Sequence, residues 1–218
     1  MTVVDAQPWP PATPSPRGRR LRWISGALIA LLVISAGVLG FAAYYTSTVP
    51  EPPQFHADHP IVRVADLPTG VTNAFVAALD PDFYAVADRA AFTPSPISRR
   101  YILLAIEDTD ADESTWRIRI MADELEEVYT PAEILGFYLN SADYGRGAVG
   151  LVAAAQAYFG RQPAQLTIAE AALLAVRLDP DRPQSKDGWT QVIDTMAQRG
   201  MLGGSERAAL VYPRIQGD

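Results

Sequence analysis

Apolar residues follow two different patterns along this chain. From Trp23 to Tyr45 the run WISGALIALLVISAGVLGFAAYY is apolar on every side and holds 23 residues without a charge. At about 1.5 Å per residue such a helix crosses a hydrocarbon core of roughly 30 Å. From Leu67 onward the apolar positions instead recur at spacings of three and four, the mark of one-sided helices. LPTGVTNAFVAAL sets Val71, Phe75, Val76 and Leu79 on one face, and ISRRYILLAIED and STWRIRIMADELEEV follow, separated by an acidic loop. Two capping boxes, Thr130-Pro131-Ala132-Glu133 and Thr167-Ile168-Ala169-Glu170, announce helix starts. Helices over Ala148–Phe159 and Gly188–Met201 complete the set. No strand pair, internal repeat or heptad run interrupts it, so the pattern predicts an all-α domain over residues 61–212.

The flanking segments place that domain. Residues 1–22 include PWPPATPSPRGRR, proline-rich and without apolar periodicity, which reads as a disordered tail. Arg17, Arg19, Arg20 and Arg22 stand directly before the apolar run and favour a cytoplasmic N-terminus. A cleaved signal peptide has an apolar core of about 7–15 residues, so residues 23–45 read as a retained transmembrane anchor. Residues 46–60, TSTVPEPPQFHADHP, form a stiff linker, and 213–218 a short tail. The expected location is the cell membrane, crossed once, with the domain outside the cytoplasm.

Charge and composition remove several classes of function. The chain carries a net −7, and the part after Tyr45 has 24 acidic and 14 basic residues, which argues against a nucleic-acid partner. There is no cysteine and there are two histidines, His56 and His59, too few for the three or four ligands of a zinc site. Gly145, Gly147 and Gly150 match G-x-G-x-x-G, but a helix precedes them where a dinucleotide site needs a strand. DTDADES, with Asp108, Asp110 and Asp112, opens like a calcium loop, yet Glu113 fills the position that needs glycine and Arg119 the one that needs glutamate.

The 48 residues from Pro131 to Leu178 contain EILGFYLN, YGRGAVGLVAAAQAYFG and LTIAEAALLA. At these spacings they resemble the peptidoglycan glycosyltransferases of family 51, the transglycosylase domains of class A penicillin-binding proteins and their monofunctional relatives. The resemblance, weaker from about Ile61 to Leu202, implies a lysozyme-like helical fold behind one N-terminal membrane helix. Most of the matching residues read as architecture. The glycines permit sharp turns, Asn140 is expected to cap or tie the glycine loop, and Tyr138, Tyr144, Tyr158 and Phe159 are expected in the core.

The resemblance also implies a reaction. A carboxylate removes the proton from an acceptor hydroxyl, that oxygen attacks the anomeric carbon of a lipid-linked disaccharide, and a polyprenyl diphosphate leaves. Such chemistry needs a base within hydrogen-bond reach and cations, or a divalent metal in an active enzyme, facing the leaving group. The family's base stands in A-E-D-x-x-F, which here reads Ala78-Leu79-Asp80-Pro81-Asp82-Phe83. Leu79 occupies the glutamate position, and Val86 and Asp88 replace a following histidine and glycine. The family's G-G-S-T-I-T-Q-Q aligns with Thr93-Pro94-Ser95-Pro96-Ile97-Ser98-Arg99-Arg100, and R-K-x-x-E falls within STWRIRIMADE without a glutamate at the right offset. Lys186, far downstream, is the sole lysine, so both site lysines of the family are missing.

A degenerate member is therefore expected, retained for binding or scaffolding in cell-wall assembly. Asp80 and Asp82 are the candidates for a substitute base. Arg99, Arg100, Arg117 and Arg119 are the candidates for holding a diphosphate, against the plainer reading of a solvated helix face. Two alternatives stand beside it: an active polymerase using Asp80 or Asp82, and a helical interaction domain for a cell-wall or division protein. The expected partners are the membrane, lipid-linked peptidoglycan precursor and proteins of wall synthesis or division.

Overall fold

A computed structural model describes residues 16–48, 58–85, 93–106 and 112–217, with the side chains of 25–43 in the first stretch. The chain divides into two units, Met1–Thr48 and Val49–Asp218. In the first, helix α1 runs from Pro16 to Thr48, 33 residues. It begins inside the segment expected to be disordered and ends inside the expected linker. Proline suits a first helical position, and the arginine-rich residues after it are good helix formers. The stretch Ser25–Ala43 is long and apolar enough to cross a membrane, and its leucines, isoleucines and valines are exposed.

The second unit is helical. Its elements are α2 (Thr69–Leu79), α3 (Pro96–Ile106), α4 (Trp116–Val128), α5 (Pro131–Ser141), α6 (Leu151–Phe159), α7 (Ile168–Arg177), α8 (Lys186–Gln198) and α9 (Gly204–Ala209). Among the described residues no strand forms; one isolated antiparallel bridge joins Asp143 to Val149. Helices α2, α7 and α8 pack together, as do α3, α4 and α5. In α2 the residues from Ala74 to Leu79 are all buried, and in α7 those from Ala169 to Val176. A helix apolar on all sides belongs in the interior. Alanines at 74, 77 and 78 on α2, and at 171, 172 and 175 on α7, keep both helices slim enough to pack centrally.

Both expected capping boxes are present. Thr130 and Thr167 accept from the backbone N–H groups of Glu133 and Glu170, whose carboxylates accept in return from the threonine N–H groups. In the second box Glu170 is buried and Thr167 exposed. Glu170 takes the Thr167 N–H at 2.8 Å and the Thr167 hydroxyl at 2.9 Å, and pairs with Arg161 at 3.3 Å. Thr167→Ala removes the capping oxygen, so a loss of about 1 kcal/mol is expected in thermal or denaturant unfolding.

Helix α6 starts at Leu151 rather than Ala148, because Ala148–Gly150 are the returning arm of the glycine loop, with Val149 bridged to Asp143 and Gly150 at the N-cap. Gly150 has φ +82° and donates to Ala142 O, and a Cβ there would stand 2.7 Å from Asn140 O. Asn140 does not tie this turn through its side chain as expected. It faces the strap ahead of α2: Val62 N donates to its Oδ1 at 2.9 Å, and its Nδ2 donates to Val62 O and Gly136 O, both at 2.8 Å. Tyr138, Tyr144 and Tyr158 are buried as anticipated, and Phe159 is partly buried against the core. Burial pushes the Tyr138 phenol up to about 12 and the Tyr144 phenol well above the ordinary tyrosine value. The residues after Tyr212 also pack: Gln216 N donates to Tyr158 O, and Ile215 lies against the core.

Candidate functional site

The site is built where α2 ends. Leu79 is the last helical residue, 6% exposed and part of the apolar core with Val71, Phe75 and Val76. Asp80 leaves the helix in an extended conformation, and the chain turns, with Phe83 N donating to Asp80 O and Ala85 N to Asp82 O. Phe83 is buried and anchors the corner, while Tyr84 lies half outside, its ring 5.3 Å from that of Phe83. Val86 and Asp88 lie outside the described residues.

Both candidate bases are engaged. Asp80 accepts from Asp82 N at 3.1 Å through one oxygen and from the Ser95 hydroxyl at 2.7 Å through the other. Asp82 is exposed and makes a two-pronged ion pair with Arg199 of the α8 C-cap, whose Nη2 contact is 3.0 Å. Both carboxylates thus have partners within the protein, Asp80 in the Ser95 hydroxyl and Asp82 in Arg199.

Ser95 is the hinge between the two aligned motifs. Its hydroxyl also receives the Ile97 N–H at 3.0 Å, the geometry of a helix N-cap, which starts α3. Its own N–H donates to Glu126 Oε1 at 2.7 Å, and the same oxygen receives the Ser98 hydroxyl at 2.5 Å. Glu126, on α4, thereby fixes the first turn of α3 from outside.

Arg99 and Arg100 are not on a solvated face; their side chains are 21% and 13% exposed. Arg100 Nε donates to Glu113 Oε1 at 2.7 Å, and its Nη2 lies 3.6 Å from Asp179. Arg99 Nη1 donates to Pro94 O at 2.5 Å, and its Nη2 lies 3.6 Å from the other oxygen of Glu113. Asp179, itself buried, also receives Arg182 Nε at 2.7 Å, and Arg182 Nη2 caps the end of α2 by donating to Ala78 O at 3.1 Å. Arg117 and Arg119 sit in the first turn of α4, exposed and half-buried, with interaction partners of their own.

The structure thus joins Asp80, Ser95 and Glu126 in one network, and Arg99, Arg100, Glu113, Asp179 and Arg182 in a second. Glu113, Glu126, Asp179, Arg182 and Arg199 escaped sequence reasoning, because each meets a partner 13 or more residues away. Of the acidic loop considered for calcium, Asp112 is described. Its Oδ1 is taken by the Ser114 N–H and hydroxyl at 2.8 and 2.6 Å, which hold it below the usual carboxylate range. Among the described residues no three His, Asp or Glu side chains gather as metal ligands.

Comparison with known proteins agrees with this architecture. A family model described as Transglycosylase matches residues 95–200. Penicillin-binding protein 1A of Mycolicibacterium smegmatis is 29% identical over 182 residues, covering 70% of this chain and 23% of that protein. Penicillin-binding protein 2D of Bacillus subtilis is 36% identical over 132 residues, 52% of this chain and 19% of its own length. The biosynthetic peptidoglycan transglycosylase of Marinomonas sp. is 27% identical over 188 residues, 78% of this chain and 84% of that protein. The chain spans less than a quarter of the penicillin-binding proteins it matches and most of the Marinomonas protein. All-α architecture and these matches point the same way: the helical domain of this chain, matched over residues 95–200, resembles the transglycosylase domains of glycosyltransferase family 51.

Proposed function

We propose that this chain acts in peptidoglycan assembly as a membrane-anchored, transglycosylase-like protein that binds or scaffolds and does not polymerise glycan. One observation carries the reading: the position aligned with the family's catalytic acid is Leu79, packed into the core at 6% exposure. A leucine has no lone pair with which to take a proton. The nearby carboxylates support the same reading, because Asp80 is held by Ser95 and Asp82 by Arg199. Groups that act as a unit fail together, so the loss of the acid and of both site lysines outweighs the retained fold. The apolar helix α1 and the kinship with wall-building proteins favour a setting at the membrane, where lipid-linked precursor is the ligand to test first.

A gel-based glycan-chain assay with the full-length chain in detergent tests the proposal. Incubation with lipid-linked disaccharide is expected to give no polymer above the no-enzyme control. Polymer that disappears in Asp80→Asn or Asp82→Asn would instead establish an active enzyme with a substitute base. A chain that neither polymerises the precursor nor binds it in titration would be a helical interaction domain.

A further inference from the structure

The arginine cluster contains its own anion. Glu113 is shared between Arg99 and Arg100, and Asp179 between Arg100 and Arg182. The two carboxylates differ in how they are held. Asp179 has a side chain 9% exposed, pairs through Arg182 to the end of α2, and belongs to the frame. Glu113 is 33% exposed, makes one close bond, to Arg100, and stands 3.6 Å from Arg99. Its backbone turn is secured independently, by Asp112 Oδ1 with Ser114 and by Thr115 Oγ1 with the Asp112 N–H. Rotating the Glu113 side chain outward therefore leaves the turn intact.

The arginines it covers retain binding capacity. Arg99 Nε and Arg100 Nη1 are buried and lack a hydrogen-bond partner among the described residues. Buried guanidinium N–H groups are normally satisfied, and adjacent arginine forks suit phosphate oxygens. With Glu113 in place, three arginines face three carboxylates: half-buried Glu113, buried Asp179 and exposed Asp181, which lies 3.8 Å from Arg100 Nη2. With Glu113 withdrawn, the same three arginines face buried Asp179 and solvent-screened Asp181, and the remaining positive charge favours an incoming anion.

We propose that Glu113 is a built-in competitor for a diphosphate-binding position on Arg99 and Arg100, so that the site takes a diphosphate group when the glutamate swings out. The proposal rests on the reading above that the domain retains ligand binding. It adds regulation, since any partner or condition that draws Glu113 away opens the site.

Calorimetric titration of the full-length chain in detergent with inorganic pyrophosphate, at low salt and neutral pH, tests it. Glu113→Gln and Glu113→Ala are each expected to bind at least about tenfold more tightly than the unmodified chain. Adding Arg100→Gln to Glu113→Gln is expected to abolish the gain, and circular dichroism confirms that each variant is folded. A parallel titration with a polyprenyl diphosphate in the same detergent separates the sources. Tighter binding than pyrophosphate assigns a lipid-linked group; equal binding assigns free diphosphate. If the unmodified chain binds pyrophosphate through Arg99 and Arg100 and Glu113→Gln binds no better, the gate is wrong while the ligand-binding reading stands. Binding by no variant overturns both, and a gain that survives Arg100→Gln places the anion elsewhere and overturns the gate.

Discussion

Leu79→Glu is expected to lower the thermal midpoint of the domain by roughly 10 °C at neutral pH and to create no glycan-polymerising activity. The leucine lies at the end of α2, buried with Val71, Phe75 and Val76. Removing it forfeits about 2 kcal/mol of apolar burial. A carboxylate in its place adds a further loss of about 1–3 kcal/mol for an unpaired buried polar group. At about 2–4 °C per kcal/mol for a domain of this size, the sum gives the stated shift. The sign of its pH dependence follows from burial, which raises the folded-state pKa of the new carboxyl above the unfolded value. The folded state then holds its proton more tightly, so the deficit is full at neutral pH and shrinks as pH falls through the folded and then the unfolded pKa. An unchanged midpoint at neutral pH would mean that position 79 opens to water, and the binding-cleft form of the proposal would gain over a purely structural one.

Asn140→Ala is expected to cost about 2–4 kcal/mol and to free the strap ahead of α2. One side-chain amide, 2% exposed, holds three bonds: from Val62 N, to Val62 O and to Gly136 O. Alanine leaves two strap groups and one helix carbonyl without this partner, in a half-buried setting where each lost bond costs roughly 1 kcal/mol or more. Hydrogen exchange gives the sharper measurement. The Val62 amide should lose its protection in the variant, while the central amides of α2 and α7 slow exchange according to the remaining global stability. Equal loss across all three would show that the strap and the core open as one unit.

What the sequence disclosed followed from range. The capping boxes of α5 and α7 are four-residue features, and both were legible and present. The burial of Leu79 followed from helical spacing, and that of the tyrosines from reading the family-like segment as architecture. The start of α6 was misread because Ala148 looks like a helix former, whereas the turn is set by Gly150 at φ +82° and its bond to Ala142. Asn140 was recognised as a tether but assigned to the wrong segment, since its partner Val62 stands 78 residues earlier. The charged network was the least legible part. Arg182 reaches Ala78 across 104 residues and Arg199 reaches Asp82 across 117, and only the packed helices bring them together. Even the reading of Arg99 and Arg100 as phosphate binders or solvated charges omitted the state the structure displays, paired internally with Glu113.

The Asn140 tether also has a mechanical consequence. The strap at Ile61–Val64 precedes α2 in the chain and is fastened to α5 through Asn140. Tension applied to the preceding chain would reach Val62 before it reached α2, and both polar groups of that residue are fastened to one side chain of α5. Load is then delivered to a helix in the middle of the sequence, already braced by α3, α4 and α6, and the first turn of α2 is shielded from being peeled. A domain held by a tether gains from such an attachment point, because the force enters through its interior and bypasses its fraying end.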